Sequence, residues 1–179
     1  MDEIAADLGI SKAALYYYFS TKEEIFRQVI AREQQEFIHH VEKINETKTT
    51  AEEKLWQYFK HYLTFFNELF NLKIISVLNV DIIHPIMSDL FRQFSKKEYD
   101  ILETILHEGK KTGEFVFDSP SKTASLLLHL LQGLRMRFFK TLGHRDLEET
   151  DVKTLDQEIK LFAKIFLQGI KSSENNFTK

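Results

Sequence analysis

Apolar residues recur every three or four positions along most of this chain, and short polar patches interrupt that spacing. The clearest example starts after Thr21, where the apolar positions are Ile25, Phe26, Val29, Ile30, Phe37, Ile38, Val41 and Ile44. This spacing places the side chains on one side of an α-helix. The pattern therefore predicts an all-α protein in which each helix buries one side in a shared core.

Polar patches and capping residues divide the pattern into further helices after this first long one, which should end near residue 45. Thr21 and Thr50 each precede a Glu by three residues, an arrangement that caps a helix start. Gly113 can end one helix, and Ser119 with Pro120 can start the next. The predicted helices after residue 45 span about residues 50–71, 72–83, 85–112, 120–142 and 151–171.

The first 26 residues hold two shorter periodic segments separated by a glycine. Ile4 and Leu8 are one helical turn apart, so we expect both to point inward from a short first helix. Gly9 follows that helix, where a left-handed backbone can turn the chain. Ala5 leaves room for a second helix to cross closely, and Ser11 can cap that second helix. The spacing predicts a helix-turn-helix motif.

The string LGISKAALYYYFSTKEEIF, residues 8–26, resembles the signature of the tetracycline-repressor (TetR) family of bacterial transcriptional regulators. That signature combines a glycine, an apolar residue and a serine with a Leu-Tyr pair, a Phe, and a Lys-Glu-Glu that opens the next helix. The resemblance covers about the first sixth of the chain. It implies a helix-turn-helix headpiece with its connecting helix over residues 1–45, and a ligand-binding and dimerisation domain over 46–179.

The second helix of the motif carries side chains suited to DNA. Tyr16 and Lys22 match family positions that contact phosphates, through a phenol hydroxyl and through an ammonium at a helix N-terminus. Lys12 could bind guanine O6 and N7 in the major groove, and Ala13 or Ala14 could touch a thymine methyl. The predicted DNA-binding residues are Ser11, Lys12, Ala13, Ala14, Tyr16, Tyr17 and Lys22.

In the resembled family another helix precedes these two, whereas this chain has nothing before Met1. Residues 1–27 also hold three basic and five acidic side chains, although DNA-reading modules are usually basic. We expect that the first headpiece helix is missing here and that the numbering begins inside a longer native protein. The alternative is a ligand-binding or interaction module with an incomplete, non-functional headpiece. An upstream in-frame helix rich in Lys or Arg would favour the regulator.

The helices in the middle of the chain are unusually aromatic. A cavity for an effector could be lined by Trp56, Phe59, Leu63, Phe66, Phe91 and Phe94. Each of these residues, taken singly at helical spacing, is more often an ordinary core residue. The resemblance shifts the balance toward a pocket for a small apolar or amphipathic effector, because family members bind small molecules between these helices.

The last two predicted helices have more apolar surface than one core can bury. Apolar side chains of the helix over residues 120–142 span an arc of roughly 220°, about twice the stripe that docking on one core needs. Pairing with a second copy as a four-helix bundle, as in the resembled family, would bury the excess. The predicted homodimer interface consists of Leu126, Leu127, Leu130, Leu134, Leu161, Ile165 and Phe166. For Arg137, a salt bridge to a Glu across the dimer is favoured over an acidic ligand.

Composition and the absence of known motifs weigh against several other classes of protein. The absence of Cys removes disulfides and Cys-based metal sites, and it fits a cytoplasmic protein. The seven His are scattered, so no metal site is predicted. No catalytic motif, phosphate-binding loop or membrane-spanning run occurs, so we expect no enzyme activity, no cofactor and no membrane partner. The sequence favours a dimeric DNA-binding regulator, a ligand-responsive repressor of a palindromic operator.

Overall fold

The computed structural model describes residues 1–71, 80–142 and 148–172, apart from the side chains of 66–71, 80–88, 135, 136, 138–142 and 149. Seven α-helices lie in these ranges and confirm the predicted all-α fold. They are α1 (Asp2–Asp7), α2 (Lys12–Tyr18), α3 (Lys22–Glu46), α4 (Ala51–Asn71), α5 (Val80–Thr112), α6 (Pro120–Leu142) and α7 (Glu149–Ile170).

The turn between α1 and α2 forms as the sequence predicts. Gly9 has a φ of 65°, in the left-handed region that a side chain would strain. The Ile10 N–H donates to the Ala5 carbonyl at 3.0 Å and closes the end of α1. The Ser11 hydroxyl accepts from the Ala14 N–H at 3.1 Å and caps α2. These local bonds fix the direction in which α2 leaves the turn.

The contact between α1 and α2 is small. Ala5 and Leu15 form its centre, with exposed fractions of 3% and 2%. The prediction that Leu8 points inward is wrong, because its side chain is 62% exposed. Leu8 is the cap residue at the end of α1, and within this helix only Ala5 is fully buried.

α3 is one continuous helix of 25 residues, about 37 Å long, that runs from the headpiece into the body. The Thr21 hydroxyl accepts from the Glu24 N–H at 3.1 Å, and the Glu24 carboxylate accepts from the Ser20 N–H at 2.8 Å. The predicted cap is therefore confirmed. The C-terminal half of the helix buries Phe37, Ile38, Val41 and Ile44 in the body. A displacement of α3 would consequently affect both ends of the molecule.

The body is built from mutual packing of its helices. α3, α4 and α5 pack against one another, α6 lies against α5, and α7 lies against α4 and α6. Their shared core includes the fully buried side chains Leu55, Tyr58, Tyr62, Leu102, Ile105, Leu127, Leu131 and Ile159. Burial of each such side chain stabilises the fold by about 1.5–3 kcal/mol. No helix within these described ranges is long and apolar enough to cross a membrane.

The connection between α5 and α6 is tied to the end of α7. Gly113, with a φ of 80°, ends α5 as predicted. The Val116 N–H donates to the Ile170 carbonyl at 2.7 Å, and the Ser172 N–H donates to the Glu114 carbonyl at 3.0 Å. These backbone bonds hold the C-terminal end of α7 against the body.

α5 extends further toward its N-terminus than the sequence predicts. The sequence pattern places a helix start at Pro85, whereas α5 begins at Val80 and passes through Pro85 in its second turn. Because proline has no N–H, the carbonyl of residue 81 in the first turn loses its helical hydrogen bond, and the helix continues on both sides of that single missing bond. Residues 72–79, which hold most of the predicted helix over 72–83, lie outside the described residues.

Candidate functional site

α2 has one buried side and one side that faces solvent. Leu15 is buried at 2% exposure, whereas Tyr16 is 46% exposed and Tyr17 is 82% exposed. Of the predicted DNA-binding residues, Ser11, Lys12, Ala13, Tyr16, Tyr17 and Lys22 are exposed, and Ala14 is half-buried. An exposed helix side with basic, aromatic and small groups has the shape and chemistry to enter a DNA groove.

Lys12 is engaged by an acid on the neighbouring helix. Its Nζ lies 2.9 Å from each carboxylate oxygen of Asp2. This hydrogen bond lowers the pKa of Asp2 and raises the pKa of Lys12. Both side chains are more than half exposed, so the ion pair is weak and screened by salt. Lys12 can therefore exchange Asp2 for another hydrogen-bond acceptor with little loss of free energy.

Two neighbouring tyrosines extend the exposed side of α2. The rings of Tyr17 and Tyr18 meet edge to face, with 5.1 Å between their centroids. Tyr18 is 69% exposed, and the sequence alone does not assign it to the DNA-binding set. Adjoining exposed aromatic rings are typical of a surface that binds a partner. Tyr18 therefore belongs to the candidate DNA-binding surface.

Three residues of the predicted ligand pocket line a cleft between α4 and α7. Trp56, Phe59 and Leu63 contribute to this cleft, which has a volume of about 600 Å³. Buried Ile159 and Ala163 of α7 complete its apolar floor. Its charged lining residues are Glu53, Lys60, Asp156 and Lys160. The cleft lies on the side of α4 that is remote from α3.

The opposite side of α4 faces the interior between α3 and α5. Phe94 lies there, with its ring centroid 5.4 Å from that of Phe37 and 5.7 Å from that of Phe65. The rings of Phe37 and Phe65 are 4.9 Å apart. We refer to Phe37, Phe65 and Phe94 as the interior aromatic cluster, which joins α3, α4 and α5.

The structure therefore divides the predicted single pocket into two regions. Trp56 and Phe65 are nine residues apart, and a rotation of about 100° per residue turns them to opposite sides of α4. Phe91 of α5 is 39% exposed and is not among the residues that line the α4–α7 cleft. The side chain of Phe66 lies outside the described residues.

Two polar side chains on the helices that carry the interior aromatic cluster have buried nitrogen atoms without a hydrogen-bond partner. Gln34 of α3 is 6% exposed, and its Nε2 is unpaired. The His61 ring stacks on Phe37 with 5.1 Å between centroids, and its Nε2 is also unpaired. Sequence reasoning missed both residues. Gln34 carries a recognisable signal, because it stands on the apolar side of α3 one turn from Ile30 and Ile38.

His61 is held in its neutral form. Burial of the ring, together with the smaller effect of the neighbouring charge of His40, lowers its pKa to about 4. The rings of His40 and His61 stack with 3.9 Å between centroids. At pH 7 the Nε2 of His61 therefore belongs to an uncharged imidazole, which can donate or accept one hydrogen bond.

Protonation of His61 should destabilise the folded chain in acid. Between pH 6.5 and pH 4 the unfolded chain binds a proton at this residue and the folded chain does not, so stability falls as the pH falls. Partial exposure reduces the expected effect to about 1–2 kcal/mol. Urea unfolding at pH 7 and pH 4.5 should show that His61→Phe removes this loss, whereas His39→Gln at an exposed position retains it. An unchanged pH dependence in His61→Phe would show that His61 titrates normally.

α6 and α7 share an exposed apolar surface. Leu126 and Leu130 of α6 are 55% and 43% exposed, and Leu161 and Ile165 of α7 are both 60% exposed. We refer to these four residues as the α6–α7 apolar stripe. Gly133 continues the stripe on α6, and no atom lies within 4 Å of the position that a Cβ would take there. Another helix could therefore approach α6 closely at this point.

Four other residues that the sequence places at the dimer interface are not part of this exposed stripe. Leu127 is fully buried inside the protomer, and Leu134 and Phe166 are half-buried against its core. Neighbouring positions on a helix differ by about 100°, so one helix cannot turn all its leucines to a partner. Arg137 pairs with Glu158 of the same chain at 2.7 Å, where the sequence favoured a Glu of the second copy.

No group of three or more His, Asp or Glu side chains that could hold a metal ion occurs in the described part of the chain.

Two protein-family models match most of the sequence. Residues 1–29 match bacterial regulatory proteins of the tetR family, and residues 33–173 match the C-terminal region of QacR-like proteins.

Individual relatives agree with these models. A crystal structure of a transcriptional regulator from Cytophaga hutchinsonii has a TM-score of 0.84 and 37% identity, over 96% of this chain and 88% of that one. The uncharacterized HTH-type transcriptional regulator YfiR of Bacillus subtilis is 26% identical over 94% of this chain and 82% of its own length. The fatty acid metabolism regulator protein of the same bacterium is 27% identical over 64% of this chain and 59% of its own length.

The family is one of regulators rather than enzymes, and its members bind DNA and form dimers. The exposed α2 and the helical body of this chain are the two parts that these models describe. The chain therefore belongs to the tetR family of bacterial regulatory proteins, and it is a DNA-binding transcriptional regulator.

Proposed function

We propose that this regulator is a ligand-responsive repressor that acts in the cytoplasm and binds a palindromic operator as a homodimer. The observation that carries the proposal is the continuity of α3. This single helix starts directly after the exposed α2 and buries Phe37 in the interior aromatic cluster. A ligand that changes the packing of this cluster can therefore change the position of the headpiece.

α2 would enter the major groove with its exposed side. Lys12 would leave Asp2 to bind a guanine edge, and Ala13 and Ala14 would contact a thymine methyl. Tyr16 and Lys22 would hold the helix against phosphates, and Tyr17 would reach the backbone or a base edge. The Ser11 hydroxyl accepts from the Ala14 N–H as the cap of α2, and its own hydrogen can still be donated to a phosphate oxygen. The assigned contacts are thus Ser11, Lys12, Ala13, Ala14, Tyr16, Tyr17 and Lys22.

The α6–α7 apolar stripe would bind the same stripe of a second copy in a four-helix bundle. Such an interface has two-fold symmetry, so the two α2 helices would be related by the same axis. A protein with this symmetry recognises two half-sites in inverted orientation, with centres about 34–36 Å apart or a multiple of that distance. The operator should therefore be palindromic.

The effector would bind beside the interior aromatic cluster rather than in the α4–α7 cleft. The cluster includes a residue of α3, whereas the cleft is lined by α4 and α7 alone. Aromatic rings around the site favour an apolar or amphipathic small molecule. The effector can release the operator only if it binds more tightly to the state of the dimer whose headpieces do not fit the half-sites.

Selection from a pool of random-sequence duplex DNA tests this function, because the pool contains every candidate half-site. We expect enrichment of a palindrome, which is then labelled for fluorescence anisotropy. A thermal-shift screen of apolar and amphipathic metabolites should yield compounds that stabilise the protein and weaken operator binding by about 5- to 150-fold. If a stabilising compound saturates the protein and leaves operator affinity unchanged, the proposed coupling is wrong. If no palindrome is enriched, the proposed operator is wrong.

A further inference from the structure

The unpaired nitrogens of Gln34 and His61 are the least expected feature of the interior. A buried amide without a partner destabilises a fold by about 1–3 kcal/mol, and such groups are uncommon in folded proteins. The His61 ring stacks on Phe37 of the interior aromatic cluster, and Gln34 lies one turn before Phe37 on the buried side of α3. A polar group of a bound molecule would supply the missing hydrogen bonds.

The chemistry of these atoms limits what the polar group can be. The Gln34 Nε2 only donates hydrogen bonds, so it requires an acceptor. Lys54 is the single buried Lys or Arg among the described residues, and Glu108 already binds it at 2.7 Å. Glu98 is a buried carboxylate that accepts a hydrogen bond from Tyr58, one of the rings in contact with Phe37. Among the described residues, an anionic ligand would therefore find no unpaired buried cation to replace its lost hydration.

We infer that the effector carries an uncharged hydrogen-bond acceptor, such as a ketone or amide carbonyl, which binds the Gln34 amide of α3, and a flat apolar body that contacts the interior aromatic cluster. His61 offers a second neutral hydrogen bond on the α4 side. The inference rests on the proposed effector site and adds the chemical class of its ligand. Gln34 thereby connects the ligand directly to the helix that carries the headpiece.

Three matched probes test this inference by isothermal titration calorimetry. 2-Acetylnaphthalene carries a carbonyl acceptor, 2-isopropylnaphthalene has the same shape without it, and 2-naphthoate has a charged acceptor. We expect the unaltered protein to bind the ketone about tenfold more tightly than the hydrocarbon, as one neutral hydrogen bond to a buried donor provides. Naphthoate should bind at least about tenfold more weakly than the ketone.

Gln34→Leu should bind the ketone and the hydrocarbon equally, because it removes the donor and keeps the bulk of the side chain. Gln35→Leu, one position along at an exposed site, is the matched control and should keep the preference. Without ligand, Gln34→Leu should also raise Tm by about 2–4 °C, because an unpaired amide is replaced by a buried apolar group. A higher Tm would show that loss of the preference does not come from unfolding.

Several outcomes would overturn the inference. They are equal binding of ketone and hydrocarbon to the unaltered protein, a preference that survives in Gln34→Leu, a lower Tm for Gln34→Leu, or no binding of any probe at its solubility limit. A different result separates this inference from the proposed function. If Gln34 selects the ketone but the ketone leaves operator affinity unchanged, the ligand class is supported and the regulatory coupling is not.

Discussion

A variant with Lys12→Ala, Tyr16→Phe and Lys22→Ala should bind the selected operator at least about 100-fold more weakly than the unaltered protein. Each change removes one proposed contact per subunit, so a dimer loses six hydrogen-bonding groups at the DNA. Polar contacts of this kind contribute about 0.5–1.5 kcal/mol each, and more when one partner is charged. All three side chains are exposed, so the fold should be unaffected.

The corresponding single variants should differ in which property of DNA binding they change as well as in the size of the change. Lys22→Ala removes a phosphate contact, so it should weaken binding to all sequences alike and reduce the salt dependence of log K by about 2 per dimer. Lys12→Ala should instead relax the preference for one base pair in each half-site. Fluorescence anisotropy at several salt concentrations, with the operator and with point-substituted operators, measures both effects.

Two controls separate DNA contact from a structural role. Lys43→Ala with Lys111→Ala removes the same charge at exposed positions away from α2 and should change operator affinity little. Asp2→Asn frees Lys12 from its ion pair, so it should tighten operator binding while Lys12→Ala weakens it. If Asp2→Asn and Lys12→Ala weaken operator binding to a similar degree, the ion pair between Asp2 and Lys12 stabilises the fold of the headpiece, and Lys12 does not contact a base.

Local features of the fold could be predicted from the sequence because each depends on few residues. The turn at Gly9 and the caps at Ser11 and Thr21 require one backbone conformation and one hydrogen bond, and residue type determines both. The start of α5 could not be predicted in the same way. Proline is disfavoured in a helix interior, so the sequence pattern places the helix start at Pro85. The helix nevertheless begins five residues earlier, because the other backbone hydrogen bonds of this segment still form.

The sequence does not tell which of the predicted pocket residues lie together, because periodicity gives the buried side of a helix but not the helix that packs against that side. Trp56 and Phe94 both lie on apolar helix sides, yet one lines the α4–α7 cleft and the other the interior aromatic cluster. Which side of α4 receives α3 and which receives α7 depends on the packing of the whole body. Gln34 and His61 show the same limit, since an unpaired nitrogen is recognised only when all its neighbours are known.

The proposed dimer surface follows from an excess of apolar area in the sequence, and in the structure four of its seven predicted residues lie exposed outside the protomer core. The four residues of the α6–α7 apolar stripe are each at least 43% exposed, whereas Leu127 is completely buried. Large exposed apolar side chains on two adjacent helices are unfavourable in an isolated monomer. Their exposure therefore supports association of this surface with a second copy.

Leu161→Glu combined with Ile165→Glu should convert the dimer into monomers, with an increase of at least about 1,000-fold in the dimer dissociation constant. In a symmetric interface the two changes place four carboxylates near one axis, and each would lose its hydration without a partner cation. Both positions are 60% exposed in the single chain, so the monomer should fold with nearly unchanged stability. Operator affinity should fall at least about 100-fold, because each half-site then binds one independent headpiece.

Sedimentation velocity, thermal unfolding and operator anisotropy on the same samples test this prediction, with Lys96→Gln and Lys97→Gln as the control. The control lowers the net charge by the same two units at exposed positions on α5, so it separates a specific effect on the stripe from general charge repulsion. If the Glu variant remains a dimer, the interface lies elsewhere on the body. If it becomes a folded monomer and still binds the operator with unchanged affinity, the two α2 helices do not act through a shared axis, and the argument for a palindromic operator no longer holds.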